Sequence, residues 1–580
     1  MARPLPPLTQ SFTIIAQDPS VRYKGRILTS EVEVPAEKLN HGPWGYRVHV
    51  VDYDASTDTF YRPVAYKTGR RQTIRDPFKE SSNRDRLTDP RFHAQNAYAI
   101  VMRILARFEF ALGRRVGWSF KRHQLKIAPH AFQDANAFYS RQDEGLFFGY
   151  FPGRTGTVFS CLSHDVVAHE TTHALLDGLR ELYMVPSSPD QAAFHEGFAD
   201  IVALLSVFSL KEIVKAGLAL GGKGERRTVI RAPKRSGQGT LISRERLTIQ
   251  SLRRSVLLSL AEQMGKEMSV PQGQALRQSA KLTPSRRYIE NADFREPHRR
   301  GEVLVAAVLN AFLRVWIARL RPLGEITPGY LSLERVVEEG ATAADHLLTI
   351  CIRAIDYCPP VHITFGDFLS AVLTADEEAC PDDSRFGYRK CLLRSFESYG
   401  IRPASPQITW MRATRLLEHE RVHFDPLKQD PDELFHFIWE NRKALRLCDG
   451  VFTGVVSLRP SVRRGPDGFV LQETVAEYVQ IASLKASDLR RRLKIRPPED
   501  MPLDTPVTLY GGGTLVLDEW GNVKYHIRNR LDHATLQEQR LKYLWESGFF
   551  AGQAAGLRRF AQLHRMRAVG KRVRATEGWI

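Results

Sequence analysis

Apolar positions recur along this chain with two different periods. Near the start, YRVHVVDYD (46–54) and FYRPVAY (60–66) are rich in β-branched and aromatic residues. The turn-prone ASTD separates them, which predicts strands. From Ala94 to Leu112 (AQNAYAIVMRILARFEFAL) the apolar spacing becomes that of a helix. Short strands are expected around Leu125–Ala128 and Ala137–Tyr150, then a run of helices to about residue 401. Gly221–Arg254 is rich in glycine, lysine and arginine and reads as a mobile surface insertion, while RPASP at 402–406 reads as a linker. Beyond it, helices mix with a hairpin-like TLVLDEWGNVKYHI whose turn falls at Glu519–Asn522, and a basic tail follows. The pattern divides the chain into a β-rich extension (1–85), a central domain (86–402) and a C-terminal α+β module (403–580). The fold class expected is α+β.

Composition narrows this only a little. A chain of 580 residues exceeds the ~250–300 at which one core splits, so about three or four units are expected. With 43% hydrophobic and 26% charged residues, disordered, collagen-like and coiled-coil classes are excluded. The net charge of +18 permits a nucleic-acid, anionic-membrane or acidic-protein partner, and equally a solvated surface that keeps the chain soluble. Neither KGERRTVIRAPKR nor RMRAVGKRVR shows aromatic interleaving or zinc-finger spacing, so nucleic acid is not the expected partner. Six cysteines without a CxxC pair suit a reducing compartment and buried thiols. The opening MARPLPPLTQSF lacks the apolar stretch of a signal peptide. The most apolar windows, Ile201–Leu220 and Val303–Phe312, fall short of the ~20 residues that span a bilayer. A soluble, cytoplasmic protein without a transmembrane segment is expected.

The chemistry concentrates in HDVVAHETTHALLDGL (164–179). It contains His169-Glu170-Thr171-Thr172-His173, an HExxH pattern. On a helix, positions i and i+4 share a face, so both imidazoles can grip one metal ion with Glu170 beside it. Neutral imidazoles hold Zn²⁺ at ~2.0–2.1 Å and leave a position for water. Such a water has its pKa lowered towards ~7, and a carboxylate can take its proton. FHEGFADIVALL follows, placing Glu196 and Asp200 at i and i+4 on a second expected helix. Glu196 can complete a His₂Glu site, and Asp200 can fix the tautomer of a ligand histidine.

These segments resemble the gluzincin metallopeptidases and, within them, the thermolysin-like family, over roughly residues 90–401. DVVAHExxHA with Asp177 four residues on is similar to that family's zinc helix, and ExxxD to its third-ligand helix. NAFYSRQDEGLFFGY (136–150) resembles the edge strand that pairs with the substrate backbone, which implies substrate-binding roles for Asn136 and Ala137. EPHRRGEVLVAAVLNAF (296–312) resembles the segment bearing the family's transition-state histidine, which implies that His298 donates to the oxyanion. Tyr183 lies one position from where the family has a second oxyanion donor. The resemblance implies a two-lobed peptidase with Zn²⁺ in the cleft and Glu170 as general base.

Three departures accompany it. His195 stands where thermolysin has asparagine, the stretch between Glu196 and His298 is longer, and the family's secretion signal and propeptide are missing. Arg286, Arg287 and Arg295 are equal candidates for the family's substrate-binding arginine. The family's calcium aspartate is matched by Asp165, but the helix after Glu196 offers only Glu212 as a further acid. Asp165 therefore reads as steadying the helix dipole. The function expected is a zinc endopeptidase acting on polypeptides. The alternatives are a catalytically quiet zinc-binding interaction module and a protease effector or toxin delivered without a signal peptide. An aminopeptidase is disfavoured because the GxMEN signature is absent.

Overall fold

The computed structural model describes residues 8–68, 74–153, 156–185, 187–219, 229–231, 240–261, 278–404, 422–465 and 468–551. Most of the basic stretch Lys223–Arg235, the end of RPASP and the basic tail lie outside these residues. The fold is α+β: helices and antiparallel or mixed sheets occupy separate layers.

β1 (Thr9–Ile15) and β2 (Thr29–Pro35) form an antiparallel pair. Phe12, Ile14 and Ile15 on β1 enter the same core as the long helices. β3 (Val48–Val50) leaves this region altogether and joins the central sheet. Residues 8–68 and 74–85 are thus folded into the main body, because their apolar faces have no core of their own to bury. Of FYRPVAY only Phe60 lies in a strand, Thr59–Phe60, and Val64 meets Gly42 in a single bridge.

α1 (Pro90–Leu112) begins with Pro90 after the capping residue Asp89 and ends at Gly113 in the left-handed conformation. Three strands follow: β4 (Leu125–Phe132), β5 (Ala137–Ser140) and β6 (Gly145–Pro152). The sheet order is β5-β6-β4-β3, with β4 parallel to both neighbours and β5 antiparallel to β6. β5 therefore stands at an edge.

α2 (His164–Leu179), α3 (Pro189–Phe208), α4 (Pro297–Leu320) and α5 (Leu333–Arg353) build the helical layer. α4 extends the apolar window expected at Val303–Phe312 to 24 residues, long and apolar enough to cross a membrane by length and composition. Its most apolar window is 78% buried inside the protein, as a central core helix requires. Part of the expected insertion is ordered too. Val229–Arg231, Thr240–Ser243 and Tyr330–Ser332 form a small sheet, because Leu241 and Ile242 bury their side chains.

The C-terminal region holds a four-stranded antiparallel meander: β7 (Phe452–Arg464), β8 (Val470–Lys485), β9 (Pro506–Leu517) and β10 (Val523–Asn529). It has apolar clusters of its own, yet Val516 and Ile527 belong to the main core. The contact with the body is also ionic. Arg463 on β7 bonds Asp356, Glu473 (2.5 Å) and the Tyr357 hydroxyl (2.9 Å), all buried. Arg180, which ends α2, pairs with Glu477 on β8, and Arg459 donates to the Leu179 carbonyl at 3.0 Å. Burial alone would raise the pKa of Asp356, but the Arg114 and Arg463 guanidiniums hold it well below its ordinary value.

Candidate metal centre

α2 starts at Ser163 and is buried along nearly all its length. Its internal hydroxyls are satisfied locally: Thr171 donates to the Val167 carbonyl (2.6 Å) and Thr172 to that of Ala168 (2.7 Å). His169 and His173 lie one turn apart, with rings perpendicular and Nε2 atoms 3.0 Å from each other. Glu196 on α3 places one carboxylate oxygen 3.5 Å from each Nε2. One donor atom from each of the three residues falls within 4.8 Å of the others, and all three are buried. This group can hold a metal ion.

The surrounding residues set the ligands' orientation. The Asp200 carboxylate accepts the Nδ1 proton of His169 at 2.8 Å, which turns Nε2 towards Glu196 and His173. His173 turns its Nδ1 to Nδ1 of His195 at 3.3 Å, so His195 takes the orienting position that the sequence left open. Burial would lower the pKa of His169, but Asp200 foremost, then Glu196 and Glu170, raise it to about 10. Three carboxylates around two imidazoles make a pocket whose charge suits a dication.

Glu170 is fully buried, and one of its oxygens accepts the backbone N–H of Tyr139 at 2.9 Å. The carboxylate beside the metal group is thus in contact with the edge strand β5. Tyr139 gives its hydroxyl to Asp177 (2.9 Å), and Arg141 donates to the same carboxylate (2.8 Å), which fixes β5 against α2. Asn136 and Ala137 open the strand. The Asn136 side-chain oxygen accepts the Ala137 N–H at 2.9 Å. An apolar cleft of about 730 Å³ lies beside them, lined in part by Phe132, Phe138 and Phe147.

His298 occupies the first turn of α4. Glu296 caps that helix, accepts from the His298 and Arg299 backbone N–H groups, and meets His298 Nδ1 at 2.8 Å. Burial would raise the pKa of Glu296, but the bond to His298 outweighs it and leaves it lowered. Nε2 of His298 is buried and has no hydrogen-bond partner among the described residues.

Tyr183 is buried. Its hydroxyl donates to the Pro359 carbonyl at 2.8 Å and its ring packs edge-on against Phe194. With its one proton given to a backbone carbonyl, it is a buried pin between α2 and residues 354–362. Arg286, Arg287 and Arg295 are exposed. Arg300, in the first turn of α4, is buried and pairs with Asp190 at the start of α3; it was not singled out from the sequence. Nothing sets it apart in the sequence, where it stands in the charged stretch His298-Arg299-Arg300-Gly301-Glu302.

The chain matches no protein-family model, and no curated protein resembles it at a significant level.

Proposed function

We propose that this protein is a zinc-dependent endopeptidase of the thermolysin-like, two-lobed kind. One observation carries the reading: His169, His173 and Glu196 converge from two helices, with Asp200 behind one imidazole and Glu170 touching the edge strand. The resemblance of residues 90–401 supports it.

His169, His173 and Glu196 would hold the ion. When bound, zinc supplies an acidified water and polarises the scissile carbonyl. The residues of the chain do the rest. β5 holds an extended peptide by backbone bonds, with Asn136 and Ala137 at its first contact. Glu170 accepts the proton of the attacking water and returns it to the leaving amine. His298, its Nδ1 held by Glu296, directs Nε2 at the developing oxyanion. His195 and Asp200 keep the ligand imidazoles in register.

The test is to incubate wild type and Glu170→Gln with a proteome and sequence the new termini, with zinc content measured in both. New termini from the wild type alone, with about one zinc bound by both proteins at His169, His173 and Glu196, are expected. Equal cleavage by both proteins, or none by either with zinc bound, overturns the reading.

A further inference from the structure

A second cluster of metal-ligating side chains lies outside this site. His93 comes from α1, His130 from β4, and Cys161 from the turn Ser160–Leu162 that leads into α2. All three are buried, and one donor atom of each lies within 4.8 Å of the others. None of the three takes part in the proposed peptidase chemistry.

The hydrogen bonds around them fix both tautomers. Nδ1 of His130 lies 2.8 Å from an oxygen of Asp52, which as a carboxylate accepts, so His130 carries its proton on Nδ1. Nε2 of His93 lies 3.1 Å from the Leu87 carbonyl, also an acceptor, so His93 carries its proton on Nε2. The two remaining nitrogens, Nδ1 of His93 and Nε2 of His130, then face each other at 2.8 Å with lone pairs on both. Two lone pairs at that distance repel, and something positive must sit between them.

A single proton would bind those two nitrogens and leave the sulfur unused. A metal ion uses all three donors. The partners behind the imidazoles are those of a metal site: a carboxylate on one distal nitrogen and a backbone carbonyl on the other. The short nitrogen pair does not argue against it, since the nitrogens of His169 and His173 approach to 3.0 Å in the same way. The rings of Tyr61 and Phe159 close the sides, with centroids 4.7 Å from His130 and His93 respectively.

We propose that His93, His130 and Cys161 form a second metal site, structural in role. Two imidazoles and a thiolate suit a borderline-to-soft ion of the zinc class and do not suit calcium or magnesium. The ion would tie α1, β4 and the turn before α2 together, with Cys161 three residues ahead of the helix that bears His169 and His173.

The full chain, loaded with zinc chloride alone and freed of excess metal, tests this. About two zinc ions per chain are expected for the wild type, and about one for either His169→Ala or Cys161→Ala. X-ray absorption of the His169→Ala protein should show a sulfur neighbour at ~2.3 Å. Cobalt in the same variant should give a sulfur-to-metal charge-transfer band, which His169→Ala/Cys161→Ala lacks. If Cys161→Ala fails to fold, X-ray absorption of the wild type decides, because the ligands at Glu196 and its two histidines contain no sulfur. Absence of a sulfur neighbour in zinc-loaded wild type overturns the proposal, and so does unchanged zinc content in a folded Cys161→Ala protein. Either result would mean that His93 and His130 share only a proton.

Discussion

Gly197 and Gly301 meet backbone to backbone where α3 crosses α4: a Cβ on Gly197 would stand 3.2 Å from the Gly301 Cα. Gly197 follows Glu196, and Gly301 lies one turn after His298. The crossing therefore sets the spacing between Glu196 and His298, the third ligand and the oxyanion donor of the proposed reading. Alanine at 197 gains about 1 kcal/mol of helix propensity but loses about 1–3 kcal/mol by overpacking against backbone that cannot rotate away. Gly197→Ala is expected to lower the melting temperature little and kcat clearly, and Gly197→Val to lower both strongly. Peptidase assays beside thermal melts check this. An unchanged kcat in Gly197→Val would show that the spacing does not matter.

His298→Ala should reduce kcat by ~10²–10³ and leave KM nearly unaltered, the mark of a group that acts only in the transition state. Glu296→Gln keeps an acceptor for His298 but removes the charge, so a smaller loss is expected. Steady-state kinetics on a fluorogenic peptide distinguish the two. A large rise in KM with kcat preserved would reassign His298 to substrate binding.

The ionic contact with the C-terminal sheet makes a stability prediction. Glu477→Leu leaves the Arg180 guanidinium buried without its carboxylate, a change expected to remove about 3–5 kcal/mol. A chain shortened to residues 1–402 uncovers Asp356, Arg180 and Tyr357 together and should be recovered insoluble. Asp356 adds a pH dependence. Its folded pKa is depressed, so its contribution is full above the unfolded value of about 3.9 and is lost as pH falls below that value. Urea midpoints between pH 7 and pH 3 measure it, and Asp356→Asn should flatten the acid limb.

Asp165 has the opposite sign. Burial first, then the neighbouring Asp18 charge, raises its pKa to about 6 despite a hydrogen bond from Ser163 at 2.5 Å. The folded state holds this proton between about pH 4 and 6, so stability from this group is greatest below pH 4 and falls as pH rises to 6. Asp165→Asn keeps the acceptor for Ser163 and should raise the melting temperature at pH 8 while changing it little at pH 4. Equal shifts at both values would contradict the assignment. Removal of calcium with zinc buffered should leave the melting temperature within a few degrees.

The sequence was most legible where one period ran long and chemistry followed it. Ala94–Leu112, His164–Leu179 and the hairpin ending at Asn529 all lie in elements of the expected type. His169, His173 and Glu196 converge because helical spacing determines which residues share a face. β7 and β8 were not foreseen, because the polar face of β8 is as buried as its apolar one. Glu473 and Glu477 look like solvent-facing residues until Arg463 and Arg180 arrive from elsewhere in the chain. The acceptor of the Tyr183 hydroxyl, the Pro359 carbonyl, was equally illegible, because it comes from 176 residues further along the chain. The trio His93, His130 and Cys161 was invisible since its members lie 37 and 31 residues apart and share no motif.

The edge strand β5 has one more consequence. It is four residues long, about 14 Å at ~3.4 Å per residue, and in the proposed function it holds an extended peptide by backbone bonds. Backbone pairing discriminates little between side chains, but it does demand a straight, unpaired partner. On the proposed reading, helices and strands already bonded within a folded protein are refused, whatever their sequence. Damaged, nascent or loosely tethered polypeptide is accepted. Selectivity would then rest first on the conformational freedom of the target, with the aromatic cleft beside Phe138 choosing among residues only after the chain has been straightened.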